Sequence, residues 1–507
     1  MSGSPCAPVS SPTPDILWFP TTLRRDPLDA AGLERVRQTT FDILEQVGVR
    51  FPSAGAREVF RKHGAKVDDA SGVVLLAPDL VEGALATAPR SFVLAGREPR
   101  FDLTLDGSCT YLCTEGVGVR VRDPQTGAER PSRKADVELM ARVVDALPLI
   151  GFFWAPVSAQ DHPLTAPLHE CHAGLVSTLK HVRGGTTVHP RLASRIVEMA
   201  TVVAGSDEAC RARPPVCANI CTISPLGQDE TGIEAALVYA EAGIPTSFMA
   251  MPTMGSTAPA SVLGGLAVGE AEVVSAMVLV QLAFPGAPVF HSNLISLMDP
   301  HSGGYLAELD AAIETMPVQL AHSWGVPNLG GASLSSDASV AGWSAGSRAG
   351  AAATMLAFCG AEIAGDMGGL LEGATVLEPH VLVLQHDAAL AAWDAFAGGG
   401  EVGDDGERVL AVVADVGPRG HFLSHKHTRQ HLRDFRLTLA QRPRPRAASS
   451  EGGGGEAGTG DAAVAAARDE FARLAAEHHP EPLPDDVLAE LDRILAEAER
   501  EAERLAR

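Results

Sequence analysis

Between residues 134 and 372 the chain repeats one unit: a helix-length run, a short turn, then a strand-length apolar run. ADVELMARVVDAL leads to LIGFFWAPVS, APLHECHAGLVSTL to KHVRGGTTV, LASRIVEMATVVAG to PVCANICTIS, and ETGIEAALVYAEAG to IPTSFMAMPT. VGEAEVVSAMVLVQLAFPG then leads to APVFHSNLIS, LAELDAAIETMPVQLAHSWG to VPNLGGAS, and SAGSRAGAAATMLAFCG to AEIAGDMGGLL. Strands this continuously apolar are buried on both faces, which requires a parallel sheet covered by helices. Seven or eight such units over roughly 300 residues predict an α/β fold of the closed TIM (β/α)8 type rather than an open sheet. No glycine-rich dinucleotide fingerprint follows the first strand, which argues against a Rossmann domain.

The repeat sets the rest of the organisation. Residues 1–24, rich in Ser and Pro, are expected to be a disordered leader. Residues 25–133 are expected to form an N-terminal α+β cap. Its first helix has Leu33, Val36, Phe41, Leu44 and Val47 at helical spacing and ends at Gly48. The barrel is placed at 134–440, a Gly/Pro-rich linker at 441–460, and an acidic helical tail at 461–507 that packs on the barrel or on a partner.

Composition narrows the function. The net charge of −23 argues against a nucleic-acid binder and is compatible with small cations, which a negative field attracts. The apolar stretch 273–290 carries Gln281 and is broken by Pro285 and Pro288, so it is expected to be a buried helix and a strand, not a membrane span. Eight irregularly spaced cysteines and no visible secretory signal point to the cytoplasm. Cys109/Cys113 and Cys217/Cys221 have no second pair at zinc-ribbon spacing and are expected to be buried thiols. His421, His425, His427 and His431 are spaced for metal or for a buried hydrogen-bonded cluster closing the barrel; the cluster is expected. His169, His172, His478 and His479 are expected to face solvent.

Barrel sites lie at the C-terminal ends of the strands. Those ends carry Ser158, Gln160, Asp161, His181, Asn219, Ser224, Met254, Thr257, His291, Asn293, Asp299, His301, Ser335, Asp337, Ser339 and Glu372. The set is mostly neutral and holds no evident nucleophile, which points to chemistry carried by a cofactor. An N-methyl cation would be met by carboxylates, Asp337 and Glu372 first, or by aromatic faces, for which Trp154, Phe248, Tyr305 and Trp343 are the candidates.

Several segments carry a family resemblance: LEQVGVRF, HGAKVD, LATAPRSFVLAGREP, TGAERPS, the stretch from MPTMGSTAPASVL to FPGAPV, NICTISPLGQDETGIEAALV, GGLLE and GPRGHFLSHKHTRQHLRDF. In that order they resemble the trimethylamine methyltransferase family, from residue 25 to the C-terminus. The resemblance implies a barrel that demethylates an amine and passes the methyl group to Co(I) of a separate small corrinoid protein. The cofactor, methylcobalamin or the Co(I) corrinoid, is then not covalently held. Aligning SSDASVAGWSAG with the family motif puts Ser339 where trimethylamine enzymes carry pyrrolysine. The chain is thereby similar to the non-pyrrolysine branch, whose members include glycine betaine methyltransferases. A quaternary nitrogen already has a neutral amine as leaving group and needs no special electrophile.

On this footing Asp337, Glu372, His291, Asn293, Asp299, His301, Trp154, Phe248, Trp343 and Arg348 are expected at the substrate, and Ser335, Ser339, Thr257, Gly330 and Gly331 at the corrinoid. No catalytic residue and no metal ligand is assigned. The expected partners are a corrinoid protein, a small methylated amine and further copies of the chain, with neither nucleic acid nor membrane. Gly342, Ser344, Arg348 and His301 depart from the family pattern. They keep open a barrel that binds a methylated amine without turning it over, and methyl transfer from another N- or O-methyl donor.

Overall fold

The structure, a computed structural model, describes residues 12–123, 126–186, 189–306, 309, 311–398, 406–432, 437–439 and 462–506. Among these, eight parallel strands close into a barrel: β1 (Cys109–Cys113), β2 (Ile150–Phe153), β3 (His181–Thr186), β4 (Val216–Ile223), β5 (Thr246–Ala250), β6 (Val289–Asn293), β7 (Leu329–Ser333) and β8 (Ile363–Gly365). Successive strands are hydrogen-bonded in order, β8 pairs with β1 through Ile363 and Tyr111, and a single parallel bridge, His291 to Asn328, joins β6 to the approach of β7.

The helices wrap this barrel: α1 (Lys134–Asp145), α2 (Ala166–Ser177), α3 (Pro190–Ala204), α4 (Glu230–Ala242), α5 (Val262–Ala283), α6 (Ala311–Trp324), α7 (Trp343–Cys359) and α8 (Pro379–Phe396). Alternation along each strand divides the side chains between two cores. Phe153, Val182, Ala218, Phe248 and Val289 face the helices. Cys113, Phe152, Cys217, Met249, Phe290, Leu329 and Ile363 fill the barrel interior. An antiparallel hairpin, Phe92–Leu94 with Leu103–Leu105, plugs the N-terminal end, and its Leu94, Leu103 and Leu105 join that interior. With the floor filled, the C-terminal mouth is the open end. Helix α5 is long and apolar enough to cross a bilayer by composition, but it is largely buried inside the fold, as expected for the stretch that includes residues 273–283.

Three expectations are corrected. The barrel does not begin at residue 134, because its first strand, β1, lies within the presumed cap. A short strand reads the same whichever sheet it joins, so only its pairing with β8 and β2 assigns it. The described part of the presumed leader is not disordered: Phe19 is fully buried, Phe19–Pro20 pairs with β1, and Thr13 donates to Asp145 at 2.5 Å. His425, His427 and His431 are only half-buried and His421 is exposed, with His425 on Asp415 at 3.2 Å. A six-residue helix, Lys426–His431, has too little apolar surface to bury them. The linker at 441–460 lies outside the described residues.

The tail packs back as α9 (Ala462–Glu477) and α10 (Asp485–Ala506). It covers His169, His172 and His478, which are 2 %, 6 % and 6 % exposed rather than solvent-facing. They pair with Glu499, Asp492 and Asp145.

Candidate functional site

At the barrel mouth, loops after β1, β6, β7 and β8 enclose a cavity of about 110 Å3. Its polar lining comprises Glu115, Asn293, Ser333, Ser335, Ser336, Asp337, Asp366, Tyr305 and Glu314. The strand ends dictate this set. Glu115 sits two residues beyond β1, Asp366 directly after β8, and Ser335 to Asp337 in the turn after β7. Gly331, within β7, has φ +97° and keeps the strand bare where the cavity meets it. Asp366 itself is held at φ +40°, a region costly for a residue with a Cβ, which aims its carboxyl group into the barrel.

The site is acidic, and three of its carboxyl groups are buried. Burial, then the charge of Asp366, pushes the Glu115 carboxyl group well above the usual carboxylate range, and its Oε1 has no hydrogen-bond partner among the described residues. Burial pushes Asp366 up to about 6, against the pull of Cys113 Sγ at 3.5 Å and of Arg183. Glu314 rises to about 7 because burial outweighs Arg348, whose Nη2 lies 2.5 Å from Oε1. The Tyr305 hydroxyl is pushed up to about 12 by burial and then by Asp337, Glu115, Asp366 and Glu314. Several carboxyl groups around one small space favour a bound cation.

Beneath the mouth, Arg183 lies 1 % exposed in the barrel interior, stacked 3.7 Å over the Trp154 ring and donating to Ser247 Oγ at 3.1 Å. Cys113, Cys217 and Cys221 surround it, and burial pushes all three thiols up, so they are inert.

Of the residues predicted from sequence, Asp337, Asn293, Ser335, Gly331 and Tyr305 line the cavity. The others go elsewhere. Trp154 carries Arg183. Phe248 points outward from β5 into the helical layer. His291 is fully buried against Glu270 at 2.9 Å, which also holds Asn293 and Trp324. Glu372 turns out to Arg122 at 2.7 Å and Arg120 at 3.2 Å.

Asp299 caps its own turn through His301 N and Ser302 Oγ, leaving His301 exposed. Thr257 accepts from Thr253 N at 2.8 Å, and Gly330 lies on β7 outside the lining. Ser339 is exposed and its carbonyl accepts from Arg122 at 2.7 Å. Trp343 is 88 % exposed at the start of α7. Arg348 faces inward to Glu314 and not to solvent. Ser224 serves Glu272, and His181, at the start of β3, lies at the barrel floor with Nδ1 on the Ala95 carbonyl.

Glu115, Glu314 and Asp366 were not foreseen. Asp366 was within reach: it follows an apolar run and precedes a glycine pair. Glu115 was hidden by the misplaced start of the barrel. Glu314 sits on α6, where its spacing marks only a polar helix position.

Comparison with known proteins gives a family and several relatives. The family described as trimethylamine methyltransferase (MTTB) matches residues 17–503. The trimethylamine methyltransferase MttB of Desulfitobacterium hafniense (strain DSM 10664 / DCB-2) is 31% identical over 478 residues, covering 92% of this chain and 93% of that protein. The glycine betaine methyltransferase of D. hafniense (strain Y51) is 29% identical over 419 residues, covering 80% and 84%. A crystal structure of the Methanosarcina barkeri monomethylamine methyltransferase MtmB aligns over 96% of both chains at 10% identity and a TM-score of 0.39.

Proposed function

The chain belongs to the trimethylamine methyltransferase family and is a methyltransferase; from that premise we propose that it moves a methyl group from a quaternary or otherwise methylated amine, glycine betaine-like, to Co(I) of a cognate corrinoid protein. The observation that carries the reading is the small acidic cavity at the barrel mouth, with Glu115, Asp366 and Asp337 on three separate strand ends. A tetraalkylammonium offers no N–H to share, so its recognition rests on Coulomb attraction in a space with little water.

The acids bind; they do not accelerate. Positive charge leaves the nitrogen as the methyl group departs, so carboxylates favour the bound substrate over the transition state. Rate comes instead from orienting the N–CH3 bond toward the open end and excluding water, which is the task of the Gly331, Ser335 and Asn293 walls. The amine is released from the methyl group with its lone pair and without the fixed charge of the quaternary substrate, so any later attraction to the carboxyl groups depends on its taking up a proton.

A docked corrinoid supplies the Co(I) nucleophile that accepts the methyl group. Such a macrocycle would meet an apolar rim: Val340 and Trp343 stand 63 % and 88 % exposed in the segment after Ser335, with Ile223 exposed at the end of β4 and Met251 just after β5. Apolar surface left in water on one rim marks a docking face.

The test is to mix the full chain with cob(I)alamin and a panel of methylated amines, following methylcobalamin by its absorbance. Product with a quaternary or tertiary amine supports the reading. Tight amine binding without product from any of them would overturn it in favour of a binding protein.

A further inference from the structure

The C-terminal helix α10 lies against α2 and α3, and its polar contacts are mostly simple charge pairs: Asp492 on His172 at 3.1 Å, Glu501 on Arg191 at 3.3 Å, Arg493 on Glu198 at 3.1 Å. One contact differs. His162 Nδ1 and His169 Nε2 each lie 3.0 Å from the same oxygen, Oε1 of Glu499. Their rings stack with centroids 3.5 Å apart and planes 16° from parallel. The three residues come from three places: the turn after β2, helix α2 and helix α10, more than 300 residues later.

Two imidazoles converging on one carboxylate oxygen are more than that oxygen needs. Glu499 makes no ion pair with an arginine or lysine among the described residues. Lys134, the cation felt by His169, lies 3.7 Å from Glu138 instead. Only one ring nitrogen of each histidine is engaged by that oxygen, and both of those nitrogens lie on the same side of the pair as the carboxylate. A cavity of about 220 Å3 opens beside the group, lined also by Asp161 and Glu503, and it provides both entry and room for a water. His169 is buried while His162 and Glu499 are a third exposed, so one donor is fixed and two can adjust.

We propose that His162, His169 and Glu499 bind a divalent transition cation, Zn2+ by donor type, with its remaining position open to the adjoining cavity. Two neutral nitrogens and one carboxylate oxygen are a preferred donor set for Zn2+, and too nitrogen-rich for Mg2+ or Ca2+. The three donor atoms already lie within 4.8 Å of one another, and the two N···O distances are 3.0 Å; tetrahedral coordination at Zn–N of about 2.0–2.1 Å sets donors about 3.3 Å apart, so the carboxylate oxygen need move back from the two nitrogens only by a few tenths of an ångström. The His162 ring, on a half-exposed turn, swings out of its stack to open the bite. The ion clips α10 to the barrel wall, adding to the charge pairs that already hold it there. This role is independent of the methyl-transfer reading.

The test is isothermal titration of the EDTA-dialysed full chain with ZnCl2, together with thermal unfolding with and without the metal. A stoichiometric site and a rise in Tm are expected. Both should be lost in Glu499→Gln and in His162→Ala, whose metal-free Tm stays near that of the parent. His427→Ala, which removes an unrelated half-buried histidine, should leave the site intact. The absence of a stoichiometric site, or a site unchanged in His162→Ala and Glu499→Gln, would overturn the proposal.

Discussion

Replacing Glu314 by Gln should destabilise the protein more than replacing Arg348 by Met, although the two side chains form one ion pair. They are 10 % and 9 % exposed and 2.5 Å apart. In Glu314→Gln the guanidinium keeps, among the described residues, the Leu309 carbonyl at 3.2 Å and at best a neutral amide oxygen. It cannot shed its proton, and an uncompensated buried charge costs about 3–5 kcal/mol. In Arg348→Met the surviving carboxyl group escapes by taking up a proton.

The pH dependence follows from the same shift. Burial raises Glu314 from 4.5 to about 7 even with its partner present. A carboxyl group raised on folding binds more protons folded than unfolded, so its contribution is full below about 4.5 and is lost as pH rises through about 7. From pH 6 to 8 the parent should lose about 1 kcal/mol through this group. Arg348→Met, which removes the charge that holds this carboxyl group down, should lose more than the parent over the same span, up to about 3 kcal/mol. Urea unfolding of the parent, both single variants and the double variant at pH 6 and pH 8 measures both quantities. If Arg348→Met is the more damaging at pH 6, or its pH slope is no steeper than the parent's, the reasoning fails.

Other outcomes follow from the same geometry. Asp366→Asn should weaken binding of a quaternary ammonium by roughly tenfold or more, the scale of one lost Coulomb contact in a partly screened site. In the parent, affinity should fall as pH drops below about 6, where Asp366 becomes neutral, and calorimetry at pH 5 and 7.5 checks both. Trp343→Ala, at 88 % exposure, should change stability by no more than about 0.5 kcal/mol, yet raise the KM for cobalamin in the methyl-transfer assay. Leu491→Ala, fully buried on α10, should cost about 2–5 kcal/mol locally, and limited proteolysis should then release the tail that stays protected in the parent.

Position along the chain already carried part of the site. Asp337, Ser335, Asn293 and Gly331 follow or end apolar strands, and strand ends converge in any closed barrel. Glu115 and Asp366 meet only because β8 closes on β1, a contact between segments 253 residues apart that no local pattern encodes, and Glu314 joins them because the first turn of α6 reaches the cavity. The direction of Arg348 was equally hidden: a helical arginine usually reaches for water, and only Glu314 on the neighbouring helix turns this one inward. Likewise nothing near His169 foretells its burial, since the helix that covers it lies 330 residues downstream.

The sequence alone determined the barrel, because strands apolar on both faces are stable only between helices and their own neighbours. It determined the packing tail, through one apolar stripe, and the family. Tertiary structure decided where the barrel begins, which acids share the cavity, and which histidines are buried. Those depend on which surfaces meet, and burial, which sets both charge and partner, is a property of the closed fold rather than of any segment in it.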